Sequence, residues 1–551
     1  MEARPCEILE FFNGTKQMLI PLFQRPYEWA AKDWETLWND ILEQYERADD
    51  SGTANHFTGA IVTAPARSVP VGVSKFLVID GQQRLTTVAI LLCAIRSLVE
   101  PDSRDFRKLS RLLVNEDDEG LDRYKLLPTQ PDRAAFQSLV DGEALADTRM
   151  GEALQFFRRK LLGEDSDGQP IELERLTQSL QSRITVVAIH LGDTDDPYLI
   201  FESLNAKGTP LTQADLIRNY LLLRLHANDQ QRVYEHSWLP MQNLLPGEHL
   251  TEFMRQYLMM TGEDVAKSAI YTQLKKQLVA VPDNGISPAL ERMSHASQLY
   301  ATVVGITEHL DHGVNRGLRR LRRWEIATAN PFLLRLLDAH SAGVLPADDF
   351  RRVLAMIESF AVRRAVCGVP TNQLKRIFLL LAKDLPQRDV PDWLASTLSA
   401  GASGRRWPKD DELRQALARY RAYSAPVDRC KFILESIEDH FEHRERVDYA
   451  TATIEHVMPQ AMTAEWETML GPESAEAHEQ WLDRLGNLTL TAYNGPLSNL
   501  PFDHKRGILS QSHFELNRWI TEQEEWTASQ ISQRGDMLFE RVRLIWPRPT
   551  V

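Results

Sequence analysis

The N-terminal part of the chain alternates short apolar runs with amphipathic segments. Residues 74–80 (SKFLVID) form a β-branched run typical of a buried strand, and residues 85–100 follow it with apolar positions at helical spacing. Residues 184–191 (ITVVAIHL) form a second strand-like run, and Thr212 is in position to cap the helix that comes after it. This alternation predicts an α/β module over residues 1–225.

The rest of the chain has a different pattern. Over residues 226–425 the apolar positions recur at helical spacing almost throughout, with breaks at proline and glycine. Over residues 426–551 two segments, 451–460 and 485–494, are strand-like and are followed by helices rich in tryptophan and charge. We therefore expect an α+β, predominantly helical chain of three parts: an α/β module, a helical middle and a C-terminal domain.

Composition narrows the class of protein. The 551 residues are too many for one hydrophobic core, and no apolar run approaches the roughly 20 residues of a membrane span. The start of the chain lacks the basic and apolar regions of a secretory signal. Four widely spaced cysteines without a CxxC pair exclude a disulfide scaffold and a zinc ribbon. We expect a cytoplasmic protein with no membrane partner.

The charge balance limits how the chain can bind nucleic acid. The net charge is −14, and residues 426–551 hold 21 acidic and 12 basic residues, a balance of −9. This argues against a generally basic surface for nucleic acid. Phosphate would have to be attracted locally, by a bound dication or a cluster of arginines.

Chemistry-bearing residues concentrate near the C-terminus, where Glu455 and His456 precede Asn487 and Asn494. Cleavage of a phosphodiester needs a base such as histidine and a hard cation held by oxygen ligands. Neighbours on a strand point to opposite faces, so Glu455 and His456 can share a site only where the strand twists or ends. Taken singly, these residues are more simply a strand histidine and turn-forming asparagines; the spaced set favours a function.

The string IEHVMPQ…W…LGNLTL…N…LSN…F…K, within residues 449–510, resembles the HNH (ββα-metal) nuclease domain at the C-terminus of GmrSD-type (BrxU- and SspE-like) restriction enzymes. The resemblance implies that His456 is the general base and that Glu455 and Asn494 hold Mg²⁺ or Mn²⁺. It also implies a wider catalytic set in which Asn487 braces the site while Asn499 and Lys505 lie on the following helix beside the phosphate, with His504 as a spare histidine.

A second candidate site lies in the N-terminal part. Residues 20–29 (IPLFQRPYEW) are extended or turning chain because of their two prolines, and residues 78–84 (VIDGQQR) mark a strand-to-helix turn. Such turns bind ligands in α/β proteins, and the N–H groups of a helix start favour phosphate. A hydrogen-bonded turn that only joins strand and helix is the alternative. The candidate nucleotide-binding residues are Gln24, Arg25, Tyr27, Asp80, Gly81, Gln82, Gln83 and Arg84.

These N-terminal segments, with residues 56–62 (HFTGAIV), 125–136, 200–222 and 358–374, resemble the N-terminal module of the same enzymes, which is related to the ParB and sulfiredoxin-like fold. The resemblance implies binding and hydrolysis of an NTP, GTP or ATP, and cleavage of foreign double-stranded DNA that carries modified bases or backbone. Asn205 and Lys207 are as well explained by a turn as by a site.

In the middle segment, Arg316, Arg319, Arg320 and Arg323 recur at helical spacing. A solvated or salt-bridged face is the simpler interpretation, and contact with DNA phosphates is the other. Arg363 and Arg364 are candidates for a nucleotide pocket or a domain interface.

The main hypothesis is a nucleotide-regulated, metal-dependent DNA endonuclease that restricts modified or phage DNA. The alternatives are a ParB-like nucleotide switch with a degenerate nuclease module and an RNA nuclease. A homodimer is compatible with the sequence, which leaves the oligomeric state, the nucleotide and the recognised DNA modification open.

Overall fold

The computed structural model describes residues 2–22, 24–47, 55–66, 72–143, 147–192, 212–225, 227–424, 426–441 and 447–550, without the side chains of residues 223, 227, 228 and 494. The chain forms two compact units. Unit 1 comprises Met1–Gln242 and Ser268–Glu291, and unit 2 comprises Asn243–Lys267 and Arg292–Val551. The residues predicted to form a helical middle are thus shared between the two units.

Unit 1 is built on a six-stranded mixed sheet. Its strands are β1 (Glu2–Glu7), β2 (Lys16–Leu19), β3 (His56–Pro65), β4 (Ser74–Asp80), β5 (Leu126–Leu127) and β6 (Ile184–His190). Their order is β1-β6-β3-β4-β2-β5. The β1–β6 and β3–β4 pairs are antiparallel, and the other three pairs are parallel. The strands predicted at residues 74–80 and 184–191 are confirmed, the second ending one residue early.

Helices cover the remainder of unit 1: α1 (Ala31–Glu46), α2 (Gln82–Arg96), α3 (Arg104–Leu113), α4 (Gln130–Asp141), α5 (Arg149–Leu161), α6 (Leu173–Ser182), α7 (Gln213–Leu223) and α8 (Ala227–Val233). Nearly every side chain of α2 is buried, and this helix contacts α3 and α5. A helix that is apolar on all sides belongs inside a core. The predicted cap of α7 is confirmed, because Thr212 and Asp215 form a reciprocal capping box.

The chain passes from one unit to the other and back along the next four helices. These are α9 (Leu239–Leu244), α10 (Glu248–Met259), α11 (Ile270–Leu278) and α12 (Ile286–Val304). Unit 2 continues with α13 (His312–Arg323), α14 (Asn330–Ser341), α15 (Ala347–Val366), α16 (Leu374–Lys383), α17 (Val390–Ser399), α18 (Asp410–Leu417) and α19 (Val427–Asp439). It ends with β7 (Thr453–His456), α20 (Ala464–Leu470), α21 (Ser474–Trp481), β8 (Leu488–Thr491), α22 (Asn494–Leu497), α23 (Phe502–Leu509), α24 (Arg518–Thr521) and α25 (Ala528–Ile545).

Unit 2 has one large core and a smaller one. The large core runs from Val303 to Trp546, so the helices of the middle segment and the C-terminal helices bury their apolar faces together. The smaller core includes Val457, Trp466 and Trp526 and lies next to the end of β7. None of the helices that the structure describes combines the length and apolarity that a membrane span requires.

Three arginines of α13 are paired with acidic groups. Arg320 donates to both carboxylate oxygens of Glu358, at 2.8 and 2.7 Å, and Arg323 forms an ion pair with Glu435. Arg316 lies 3.4 Å from the carboxylate of Asp439. The salt-bridged interpretation is therefore confirmed for these three side chains.

Arg363 and Arg364 tie loops of unit 2 together. Arg363 is fully buried, donates to the backbone oxygens of Trp546 and Pro408 and pairs with Asp410. Arg364 donates to three other backbone oxygens in the same unit. The bond from Arg363 to Trp546 joins the predicted helical middle to the predicted C-terminal domain, which agrees with the domain-interface interpretation of Arg363.

Candidate active site

The candidate nuclease residues lie on a β-hairpin followed by a helix. Strands β7 and β8 pair antiparallel, with His456 opposite Leu488, and β7 ends at His456. The backbone N–H of Val457 still donates to the oxygen of Asn487, at 3.0 Å. In the sequence α20 and α21 lie between the two strands, and α22 lies between β8 and α23. Both predicted strands are confirmed, but the second begins at Leu488 because Leu485–Asn487 form a 3-10 turn.

That turn is held from behind by helix α25. Arg534 is completely buried and donates to the backbone oxygens of Gly486 and Leu488, at 2.8 and 2.7 Å. Gly486 packs directly on the backbone of Ile531, where any Cβ would collide. Burial lowers the pKa of Arg534 to about 9. The glycine and the buried guanidinium together explain why the strand-like LGN segment turns instead of extending.

Glu455 and Lys505 form a buried ion pair. The Lys505 ammonium donates to Oε1 of Glu455 at 2.6 Å and to the backbone oxygen of His456 at 2.8 Å, and its side chain has no exposed surface. Burial raises the pKa of the Glu455 carboxyl, which Lys505 opposes, and burial lowers the pKa of Lys505. Lys505 lies on the helix as predicted, but its ammonium is enclosed and contacts Glu455 instead of facing outward toward a phosphate.

His456 has a different set of neighbours. Its Nε2 lies 3.5 Å from Oδ1 of Asp483, at the outer limit of a hydrogen bond, and makes no closer one. The ring of Tyr423 packs edge-on against the imidazole, with centroids 4.5 Å apart. Burial lowers the pKa of His456, and the neighbouring Asp483 carboxylate opposes that shift. Glu455 and His456 therefore contact different partners, as the alternation of a strand requires.

Asn487 connects the segments around the hairpin. Its Oδ1 accepts from the N–H of Met458 at 2.8 Å and from Nε1 of Trp526 at 3.0 Å, and its Nδ2 donates to the oxygens of Met458 and Leu482. The side chain is fully buried. All four hydrogen-bonding positions of the amide are thus used inside the protein, which suits the bracing role expected of Asn487.

The remaining predicted nuclease residues follow β8. Asn494 begins α22, but its side chain lies outside the described residues. Asn499 lies in an exposed turn between α22 and α23, so its predicted position on the helix is wrong. The helix begins only after Pro501, which is its N-cap. His504 is exposed on α23. Over the ranges that the structure covers, no three His, Cys, Asp or Glu side chains cluster as a metal cage.

Three residues near His456 were not predicted from the sequence. Asp483 is held by Arg421, whose Nη2 donates to Oδ2 at 2.9 Å, and the backbones of Arg421 and Arg484 form an isolated antiparallel bridge. This bridge carries the segment before α19 next to the 3-10 turn that leads into β8. The only sequence signal was a pair of charged residues, Asp483 and Arg484, directly before the LGNLTL string.

In unit 1 the predicted residues meet at the start of α2. The Gln83 amide accepts from the N–H groups of Glu28 and Trp29 and donates to the oxygen of Pro26, at 2.9 to 3.3 Å. Tyr27 is buried, with its hydroxyl 2.8 Å from Oγ1 of Thr87. These contacts join the IPLFQRPYEW segment to the helix, so they support the structural interpretation for Tyr27 and Gln83.

Other members of this set keep polar groups near the turn. Gln24 donates through Nε2 to the oxygens of Val78 and Ile79, while its buried Oε1 has no hydrogen-bond partner. Burial raises the pKa of Asp80, and the Gly81 N–H, Arg84 and Arg25 oppose that shift. Gly81 has a left-handed backbone, with φ of 94°, and provides no side-chain cap for α2. The first two residues of α2, Gln82 and Gln83, are both buried.

Arg84 is fitted against the neighbouring strand. Its Nη1 donates to the oxygen of Ala60 at 3.0 Å, and a Cβ on Gly59 would lie 2.8 Å from its Nη2. Gly59, with φ of 107°, lies where the register between β3 and β6 shifts. The HFTGAIV string thus supplies the glycine that makes room for Arg84. Asn205 and Lys207 lie outside the described residues.

The larger clefts of unit 1 lie elsewhere. One of about 570 Å³ is lined by residues including Asn115, Arg111 and Lys125, and none of the predicted site residues lines it. Its volume alone assigns no chemistry, whereas the start of α2 brings together the residues selected from the sequence.

Two family models match the chain in the order expected from the sequence. The N-terminal domain of the GmrSD restriction endonucleases matches residues 8–222, and the C-terminal domain of the GmrSD restriction endonucleases matches residues 407–541. The second match includes the hairpin, His456, Asp483 and α23. No curated protein matches the chain. With both domains present, the chain belongs to the GmrSD restriction endonucleases, enzymes that cut DNA.

Proposed function

We propose that this restriction endonuclease is a metal-dependent nuclease of the HNH class whose cleavage of modified or phage DNA is regulated by a nucleotide bound to unit 1. The observation that carries the nuclease half is His456, buried at the end of β7 beside a carboxylate, with β8 paired to β7 and Lys505 of α23 bonded to the neighbouring Glu455. A histidine held in place at the end of a strand is suited to activate water.

In this mechanism His456 is the general base. Because Nε2 faces Asp483, a proton on Nε2 is stabilised there and Nδ1 is the basic nitrogen available to a water molecule. Burial lowers the pKa of His456, so the imidazole is neutral and able to accept a proton near pH 7. Asp483 acts as a positioning residue that sets the orientation and tautomer of the ring.

A cation at this site would be held by few protein ligands and completed by water and the substrate. Mg²⁺ is often held by one or two carboxylates together with water and phosphate oxygens. Glu455 supplies one carboxylate, of which Oε1 is bonded to Lys505, and Asn494 would supply an amide oxygen. Mg²⁺ or Mn²⁺ bound there would stabilise negative charge on the leaving oxygen. Structural zinc does not fit, because the free cysteines Cys6, Cys93, Cys367 and Cys430 are dispersed.

Nucleotide binding is proposed at the start of α2. The first N–H groups of a helix have no acceptor within the helix and favour phosphate. Arg25 and Arg84 lie close enough to Asp80 to affect its pKa, so cationic groups accompany these N–H groups. Asp80 is suited to a ribose hydroxyl or a metal. For the fold class, the β4–Gly81–α2 turn in a mixed sheet supports a ParB/sulfiredoxin-like assignment of unit 1.

A nucleotide switch with a degenerate nuclease is the competing function. The ordered contacts of His456, Glu455 and Asn487 favour the active nuclease, since a degenerate site has no need of a buried base and a buried ion pair.

Cleavage assays distinguish the two. Plasmid and phage DNA, modified and unmodified, would be incubated with the full chain, Mg²⁺ or Mn²⁺, and GTP or ATP in turn. We expect cleavage that EDTA abolishes, that His456→Ala removes, and whose rate changes with a nucleotide. NTP hydrolysis without cleavage of any DNA would support the switch, and cleavage insensitive to EDTA would refute the metal-dependent mechanism.

A further inference from the structure

Three arginines lie on the two segments that meet beside the carboxylate facing His456. Arg421 donates to Oδ2 of Asp483, whereas His456 lies on Oδ1 of the same carboxylate. Arg484 is bridged through its backbone to Arg421, and Arg419 precedes Arg421 by two residues. Burial lowers the pKa of Arg484, and the charges of Arg421 and Arg419 lower it further, so both of these groups lie within electrostatic reach of Arg484.

This group carries more positive charge than its acidic neighbour neutralises. Asp483 contributes one negative charge against three positive ones. Within the described ranges neither Arg419 nor Arg484 forms an ion pair with a carboxylate, and the buried Nη1 of Arg484 has no hydrogen-bond partner. Arg419 is exposed, and the side chain of Arg421 is 53% exposed. Clustered like charges destabilise a fold unless an anion joins them, so the arrangement favours anion binding.

Many other arginines of unit 2 are already paired. Except for the exposed Arg319, those of α13 and α15 pair with carboxylates or bond to backbone oxygens. The segment from residue 426 to 551 has a net charge of −9, so an excess of positive charge beside His456 is a local exception. Guanidinium groups bind phosphate oxygens well because their planar donors match the geometry of the anion.

We propose that Arg419, Arg421 and Arg484 form a phosphate-binding surface that holds the backbone of duplex DNA next to His456. This proposal rests on the nuclease function proposed above and names the surface that binds its substrate. Contacts to phosphate position the duplex without reading its sequence. Arg421 links the surface to the base, because the same carboxylate contacts Arg421 and His456.

Salt dependence of DNA binding tests the surface directly. Binding of a fluorescent 30-base-pair duplex to the full-length His456→Ala protein, in EDTA, would be followed by anisotropy at several salt concentrations. Each lost phosphate contact lowers the slope of log K against log salt by about 0.9. We expect Arg419→Gln and Arg484→Gln each to produce that decrease, and the double variant about twice as much, for duplexes of any sequence.

The matched control is Arg388→Gln, which removes one exposed positive charge elsewhere in unit 2 and should leave the slope unchanged. Arg484→Lys keeps the charge and should keep the slope; a loss there would mean that Arg484 is only structural and would overturn its assignment. Equal effects of Arg419→Gln and Arg388→Gln on the slope would overturn the proposed phosphate-binding surface. It would also be overturned if the Arg419 and Arg484 variants lost binding of fluorescent GTP or ATP but kept binding of DNA. A wild-type chain that shows the predicted slopes and cuts no DNA would refute the nuclease function and leave the surface standing.

Discussion

Replacement of Lys505 by methionine is expected to destabilise the nuclease hairpin strongly. In the folded chain the Lys505 ammonium is fully buried, 2.6 Å from Oε1 of Glu455 and 2.8 Å from the backbone oxygen of His456. Methionine fills similar volume but leaves the Glu455 carboxylate buried without its cation. Removal of one member of a buried ion pair costs about 3–5 kcal/mol.

An independent limit on the cost comes from protonation. The unpaired Glu455 can become neutral by binding a proton, and at pH 7 this costs about 1.36 × (7 − 4.3), or about 3.7 kcal/mol, relative to an unfolded glutamate. The pKa of folded Glu455 in the variant lies above its unfolded value, so the variant is destabilised least below about pH 4.3. The destabilisation grows as pH rises above about 4.3. It stops growing when the pH passes the pKa of the folded Glu455, or when the destabilisation equals the free energy of local opening.

Hydrogen exchange followed by mass spectrometry is the suitable assay, because a chain with two units has no single unfolding free energy. Peptides that cover β7, β8 and α23 should lose protection in Lys505→Met at pH 7 and lose less at pH 5. Glu455→Gln/Lys505→Met should regain most of the protection, since no charge remains buried. Unchanged protection in Lys505→Met, or a double variant as unstable as the single one, would refute the ion-pair argument.

The other predictions concern activity. His456→Ala should lower single-turnover DNA cleavage by at least about 10²-fold without changing hydrolysis of NTP, and a variant that cleaves normally would exclude it as the base. Asp483→Asn should slow single-turnover cleavage at saturating DNA, and Asp483→Glu should restore part of the rate; equal rates for all three proteins would exclude a positioning role. Glu455→Ala should raise the Mg²⁺ concentration needed for half-maximal cleavage, whereas an unshifted metal titration argues against a ligand. Asp80→Ala and Arg84→Ala should abolish NTP binding or hydrolysis, and normal hydrolysis would reduce that turn to a structural element.

Local features of the fold could be predicted because their causes are local. The strand at residues 74–80 follows from its own apolar residues, and the capping box at Thr212 and Asp215 needs only two side chains three positions apart. The 3-10 turn at Leu485–Asn487 could not be predicted, since it depends on Arg534 and on the backbone of Ile531, both some 45 residues later in the sequence. Apolar pattern alone favoured a longer strand there.

The same distinction applies to the candidate site. His456 and Glu455 were identified because they are adjacent in a strand-like string. The partners that give them their chemistry lie far away in sequence: Lys505 contacts Glu455 across 50 positions, and Asp483 reaches His456 only through tertiary packing. Burial of Lys505, which turns a presumed phosphate contact into half of an ion pair, is likewise a property of the fold.

The charge of the chain takes on a different meaning once the arginines are located. A net charge of −14 predicts poor affinity for DNA, but at about 0.15 M salt exposed charges act over only about 8 Å. Acidic residues further from His456 than this distance contribute little to the potential that a bound phosphate experiences. What matters is the charge near His456, where Arg421 shares the Asp483 carboxylate with the imidazole and Arg484 is bridged to Arg421. An acidic protein with one such surface should bind DNA weakly except where the duplex reaches the base, which confines cleavage to the site and limits nonspecific binding elsewhere on the chain.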